Sequence, residues 1–149
     1  MTVSELYEKL HSPQFQDTET DMFYNFYIFQ YPATDEYEIR RQIQVFKENL
    51  KRPASYVDTL TLDLFEEFCR FLDLQNFGKQ NPSLLRFLMQ MEAKTPDNIQ
   101  KVLSQQANSQ KFYEYIYERI QQHISIKDEM HRPYVFVYGI GDMFPYLRT

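Results

Sequence analysis

In YVFVYGIGDMFPYLRT, residues 134–149, a run of β-branched and aromatic side chains meets a Gly-Ile-Gly turn. The whole chain holds three glycines, and Gly139 and Gly141 are two of them. Val135, Phe136 and Val137 are continuous, which makes this the best strand in the chain. Arg132–Pro133 leads into this strand and the glycines end it. In open parallel sheets ligands gather beyond the carboxyl ends of the strands, where loops run into helix N-termini. Gly139–Ile140–Gly141–Asp142 occupies that place, so it is a candidate nucleotide- or phosphate-binding edge. The full dinucleotide fingerprint fails, because G-x-G-x-x-G/A meets Phe144 at its last position and no acidic residue follows about 20 positions on.

Upstream, the segment from Asn81 to about His123 reads as helix throughout. Asn81–Pro82 and Thr95–Pro96 each place a capping residue before a proline, a helix-start pattern. They open SLLRFLMQM and DNIQKVLSQQ, and a third helix runs through KFYEYIYERIQQHI. There Phe112, Ile116 and Ile120 repeat at helical spacing, and Tyr113, Tyr115 and Tyr117 widen the apolar face into a core band.

Before this insertion, SYVDTLTLDL alternates as a strand through Val57, Leu60 and Leu62. Asp63 and Glu66 then cap a helix carrying Leu64, Phe65, Phe68, Phe71 and Leu72. TDEYEIRRQIQVFKENLKR is an amphipathic helix with Ile39, Ile43, Phe46 and Leu50 on one stripe. Thr34 is placed to cap it and Pro53 to stop it. MFYNFYIFQY, residues 22–31, reads as a further strand stopped by Pro32, too short for a helix and rich in rings. The near-continuous apolarity of Phe26 to Phe29 fits a strand covered on both faces of a parallel sheet. At the N-terminus Thr2 and Glu5 have capping-box spacing, with Val3, Leu6 and Leu10 on one helical face until His11–Ser12–Pro13. The expected architecture is α/β, one domain over residues 1–149. It has a small, mostly parallel three-stranded sheet, a Rossmann-like βαβ start and a helical insertion before the last strand.

Composition bounds the function. Hydrophobic residues make up 43% and charged residues 25%, ordinary for a globular chain. Thirteen Phe and twelve Tyr against no Trp suggest a core or interface built of flat rings. A net charge of −5 and no dense Lys/Arg block argue against direct nucleic-acid binding. No apolar run approaches the roughly 20 residues a membrane span needs. MTVSELYEKL lacks the plan of a signal peptide, so a cytoplasmic location is expected.

No catalytic or cofactor motif emerges. Gly78–Lys79 lacks the rest of a Walker A motif, and no G-x-S-x-G elbow exists. Cys69, the one cysteine, reads as a small buried apolar residue. Three scattered histidines show no metal-ligand spacing, and the His123–His131 region with Asp128 and Glu129 reads as a solvated turn. Glu66–Glu67 lies on a helix with nothing in the sequence to oppose it. No enzyme activity, metal or cofactor is expected.

Two segments together resemble a known family. YNFYIFQYPATDEYEIRRQIQVFKENLK, residues 24–51, runs from an apolar strand through Tyr-Pro to an Arg-bearing helix. RPYVFVYGIGDMFPYLRT, residues 132–149, is a strand, G-x-G, an aromatic-Pro step and Leu-Arg. In that order they are similar to the BrxB family of bacterial BREX phage-exclusion systems. The resemblance implies a non-enzymatic protein-interaction component of antiphage defence that contacts a PglZ-type alkaline-phosphatase-like protein and other BREX components. It carries Tyr31 and Pro32 to the end of the first strand, and Gly139, Gly141, Pro145, Leu147 and Arg148 to the final turn. With Asp142, these form the candidate partner or ligand edge. Family members continue beyond this Arg with a further helix and strand, whereas the sequence here stops at Thr149. An apolar sheet edge left open there is a setting for a partner or for a second copy of the chain.

Overall fold

Thr2 and Glu5 form a reciprocal cap. The Glu5 N–H donates to Thr2 Oγ1 at 3.2 Å and the Thr2 N–H to Glu5 Oε2 at 2.6 Å. Together they open helix α1, Val3–His11, which ends where the sequence places its end. The computed structural model describes residues 1–12, 26–52, 56–80, 82–126 and 132–147. The chain gathers into two compact units. One is Met1–Thr59 with Asp128–Tyr134, the other Leu60–Lys127 with Val135–Thr149.

In the first unit, a 3-10 turn at Ala33–Asp35 leads into helix α2, Glu36–Leu50. Thr34 does not cap α2 as expected. Asp35 stands at the cap position with helical backbone (φ −95°, ψ −1°), and its side chain makes no cap bond. The Thr34 hydroxyl donates to the Asp35 carboxylate instead. The apolar stripe is as read: Ile39, Ile43, Phe46 and Leu50 are all buried, and Tyr7 of α1 meets Phe46 with ring centres 5.0 Å apart. Pro53 lies outside the described residues.

The described part of the expected first strand, residues 26–31, is not a strand. A strand exists only through ladder bonds to a neighbour, and among the described residues the sheet has two members, β1 (Val57–Asp63) and β2 (Arg132–Tyr138). Phe26 and Ile28 are 76% and 81% exposed rather than covered on both faces. Local side-chain contacts hold the segment: the Lys9 ammonium sits 5.3 Å from the Tyr27 ring centre, and Phe29 lies 5.8 Å from Tyr31. Residues 22–25 lie outside the described part.

The sheet pairs β1, Val57–Asp63, with β2, Arg132–Tyr138, in parallel. The fold is therefore α/β with a small parallel sheet, two-stranded among the described residues rather than three-stranded. The parallel pair is joined through the helical insertion and not through α2. Asp63 ends β1 and caps helix α3, Leu64–Asp73, accepting from the Phe65 and Glu66 N–H groups at 3.1 and 3.3 Å. Helices α4 (Leu84–Met91), α5 (Pro96–Ala107) and α6 (Gln110–Ile124) follow. Ser83 caps α4 through the Arg86 N–H, a role the sequence reading gave to Asn81, which lies outside the described residues. Pro96 occupies the first turn of α5 as expected, but Thr95 supplies no side-chain cap.

The second unit's core is aromatic. Phe68 meets Phe112 edge-on at 5.2 Å, and Phe71 lies 5.2 Å from Phe112 and 5.7 Å from Tyr115. Leu72, Leu84, Leu88, Ile99, Ala107 and Met143 complete it. The tyrosine band of α6 is split by its own periodicity. Tyr115 faces Phe71, but Tyr113 and Tyr117 are 51% and 62% exposed. At 3.6 residues per turn, residues two positions either side of Tyr115 point about 160° away from it.

Candidate functional site

Gly139 follows β2 with φ +70°, the left-handed region that side chains with a Cβ resist. The short helix α7, Ile140–Met143, begins at once, and the Asp142 N–H donates to the Gly139 carbonyl at 3.2 Å. Met143 is fully buried and anchors the turn, and its carbonyl accepts from the Tyr146 and Leu147 N–H groups at 2.9 and 2.8 Å. The Tyr146 carbonyl in turn accepts from Ser104 Oγ at 3.0 Å and Asn108 Nδ2 at 2.8 Å. Within the second unit these bonds tie the turn to the last turn of α5.

Gly141 differs from Gly139. It lies inside α7 without a positive φ, and an added Cβ would meet nothing within 4 Å. Neither backbone freedom nor close approach explains it. A four-residue helix has almost no aligned dipole to offer an anion, and one of its N–H groups is spent on Gly139. The geometry is that of a strand-to-helix connector. Asp142 and Pro145 are exposed. Pro145 borders a shallow depression of about 380 Å³ with Asp97, Gln100, Lys101 and Ser104.

Tyr31 and Pro32 belong to the other unit. The Tyr31 hydroxyl donates to Glu36 Oε2 at 2.7 Å, and Arg40 Nε donates to Glu36 Oε1 at 2.7 Å. The Tyr31 bond, with the Arg40 pairing, holds the Glu36 carboxyl below its usual range. Pro32 (φ −63°, ψ 145°) brings extended backbone into the 3-10 turn. This pair organises the start of α2. Arg148 lies outside the described residues.

The sequence reading missed a buried charge cluster. Glu67, 2% exposed, accepts at Oε1 from Arg70 Nη1 at 2.8 Å and Arg119 Nη2 at 3.2 Å. Its Oε2 accepts from the Tyr115 hydroxyl at 2.8 Å. Far from being unopposed, this carboxylate fastens α3 to α6. Burial first, and then the Glu67 bond, push the Tyr115 hydroxyl pKa up. A signal existed: Glu67 stands three after Leu64 and four before Phe71, on the apolar face of α3. Its partners Arg70, Arg119 and the Tyr115 hydroxyl all donate to Glu67, so the cluster ties α3 to α6.

Cys69 lies half-buried in the wall of an apolar groove of about 240 Å³ formed by α3, α4, α5 and Tyr146. Burial, with the charges of Glu66 and Asp63, raises the thiol pKa. Such a thiol stays protonated at neutral pH and is a poor nucleophile. Among the described residues no three His, Cys, Asp or Glu side chains gather as metal ligands; residues 127–131 lie outside. Nor, among those residues, is any helix long and apolar enough to cross a membrane.

No protein-family model, curated protein or solved structure matches this chain.

Proposed function

We propose that this chain is a cytoplasmic, non-enzymatic interaction component of a BREX-type phage-defence system, with a PglZ-type alkaline-phosphatase-like protein as its partner. The family assignment rests on the two sequence segments quoted above. The observation that carries the interaction reading is the number of large apolar side chains left in solvent on the helices of the second unit. Tyr113 and Tyr117 project from α6, Met89 from α4, Ile140 from α7 and Phe144 from the residue that follows α7. Rings with a polar tip and flexible thioethers are the side chains that interfaces favour.

Co-purification with the PglZ-type protein of the same genome, followed by size exclusion with light scattering, tests the reading. A stable complex is the expected result, and no complex between two well-folded partners would sink it. Titration with ATP and with inorganic phosphate should leave Tm unchanged. A concentration-dependent rise would instead favour phosphate recognition at Gly139–Asp142, because a ligand that binds only the folded state raises its stability.

A further inference from the structure

We infer that the apolar groove between α3, α4 and α5 is the docking site for a basic amphipathic helix of a partner protein. This inference rests on the interaction reading and gives it a surface and a ligand chemistry. The floor is Phe68, Leu72 and Leu88, all buried, and the mouth is Phe65 and Met89, both exposed. At about 240 Å³ the groove is smaller than the ~300–1,000 Å³ of ordinary small-molecule sites, and it lacks their convergent polar groups. It has the size for one or two apolar side chains presented by a helix at i and i+4. Met89 at the mouth can adapt its shape to such an anchor.

Charge selects the occupant. Glu92 is the one charged residue lining the groove. It is exposed, and the ion pairs among the described residues do not include it. A Lys or Arg about one turn from the apolar anchors would neutralise it. An acidic helix or a fatty-acid carboxylate would place a like charge against it, which costs affinity and so sets specificity. The chain's net charge of −5 favours the same sign of partner at longer range.

Cys69, the sole cysteine, is a reporter built into the groove wall. Its alkylation by iodoacetamide, a neutral reagent, is followed on the full chain with and without two probe peptides. Each peptide is about five turns long with the same Leu stripe, and its polar face is Lys in one and Glu in the other. The Leu/Lys peptide should slow alkylation about tenfold when present at about nine times its Kd, while the Leu/Glu peptide leaves the rate unchanged. Glu92→Lys, an exposed change, should reverse that preference. Equal protection by both peptides, or by neither, overturns the proposal. In the co-purified complex Cys69 should likewise be protected. A complex whose Cys69 reacts at the free rate overturns the groove assignment and leaves the interaction reading standing. Failure to form any complex counts against that reading, while the peptide result still decides the groove.

Discussion

The two units of this chain bury their side chains by different rules. The first closes on an aliphatic stripe, Ile39, Ile43 and Leu50 with Leu10, Val57 and one ring, Phe46. Its described ion pairs on α2 are local, Arg40–Glu36 and Arg41–Glu38, one turn apart on the surface. The second packs three phenylalanines against one another and buries a carboxylate two of whose three partners lie 48 and 52 residues away. An aliphatic stripe asks only for the right period, whereas a buried charge asks for particular donors at particular places. The second unit is therefore the less forgiving of substitution.

The strongest test of that contrast is Phe68→Ala. Phe68 is almost wholly buried between Phe112 and Tyr146. Losing a core ring costs about 3–5 kcal/mol through lost transfer energy and the cavity left behind. Ile43→Val in the first unit should cost about 0.5–1.5 kcal/mol. Chemical denaturation gives the totals, and amide exchange followed peptide by peptide shows where protection is lost. Equal losses would erase the contrast.

Glu67→Ala comes next, at about 3 kcal/mol, the low end for breaking a buried pair. The arginines soften the loss because Arg70 and Arg119 can both reach water. The informative companion is Glu67→Met. If it restores most of the stability, the cluster contributes little beyond volume and specificity. If it is as damaging as Glu67→Ala, the three donors need their acceptor. Denaturant midpoints of both variants separate these outcomes.

These same residues show what could be read from sequence. The α2 stripe, the Thr2–Glu5 cap, β1 and β2 are written in local spacing, and they form as read. That residues 26–31 are not a strand was not legible, because apolar content sets a demand for cover but not the neighbour that supplies ladder bonds. Glu67 stood on the apolar face of α3, yet its partners on α6 follow from tertiary packing that no helical period encodes. Of the candidate edge, Gly139 was legible from the strand that precedes it. Tyr31 and Pro32 instead serve the start of α2, and Arg148 falls outside the described residues.

Tyr134 extends the comparison to pH. In the first unit its hydroxyl donates to the Leu10 carbonyl over a long 3.4 Å, and burial pushes its pKa up from 10.0 to about 12. A raised folded-state pKa favours the protonated form, so this contribution is whole below pH 10 and is lost as pH climbs through 12. Stability should fall across that window, and Tyr134→Phe should flatten the fall. A parallel fall in the variant would assign the alkaline loss elsewhere, Tyr115 in the second unit being the next tyrosine with a raised pKa.

The smallest effects separate the two glycines of the turn. Gly139→Ala forces a Cβ into left-handed backbone and should cost about 1–2 kcal/mol. Gly141→Ala adds a Cβ into open space within α7, and fixing that backbone should gain up to about 1 kcal/mol. Thermal melts of the two variants should move in opposite directions. A destabilised Gly141→Ala would mean that the helical turn at Ile140–Met143 is wrong. With stability intact or improved, the fold has no use for glycine at 141. A loss of partner binding in that variant would then report on a surface approaching α7 from outside, separately from the groove beside Cys69.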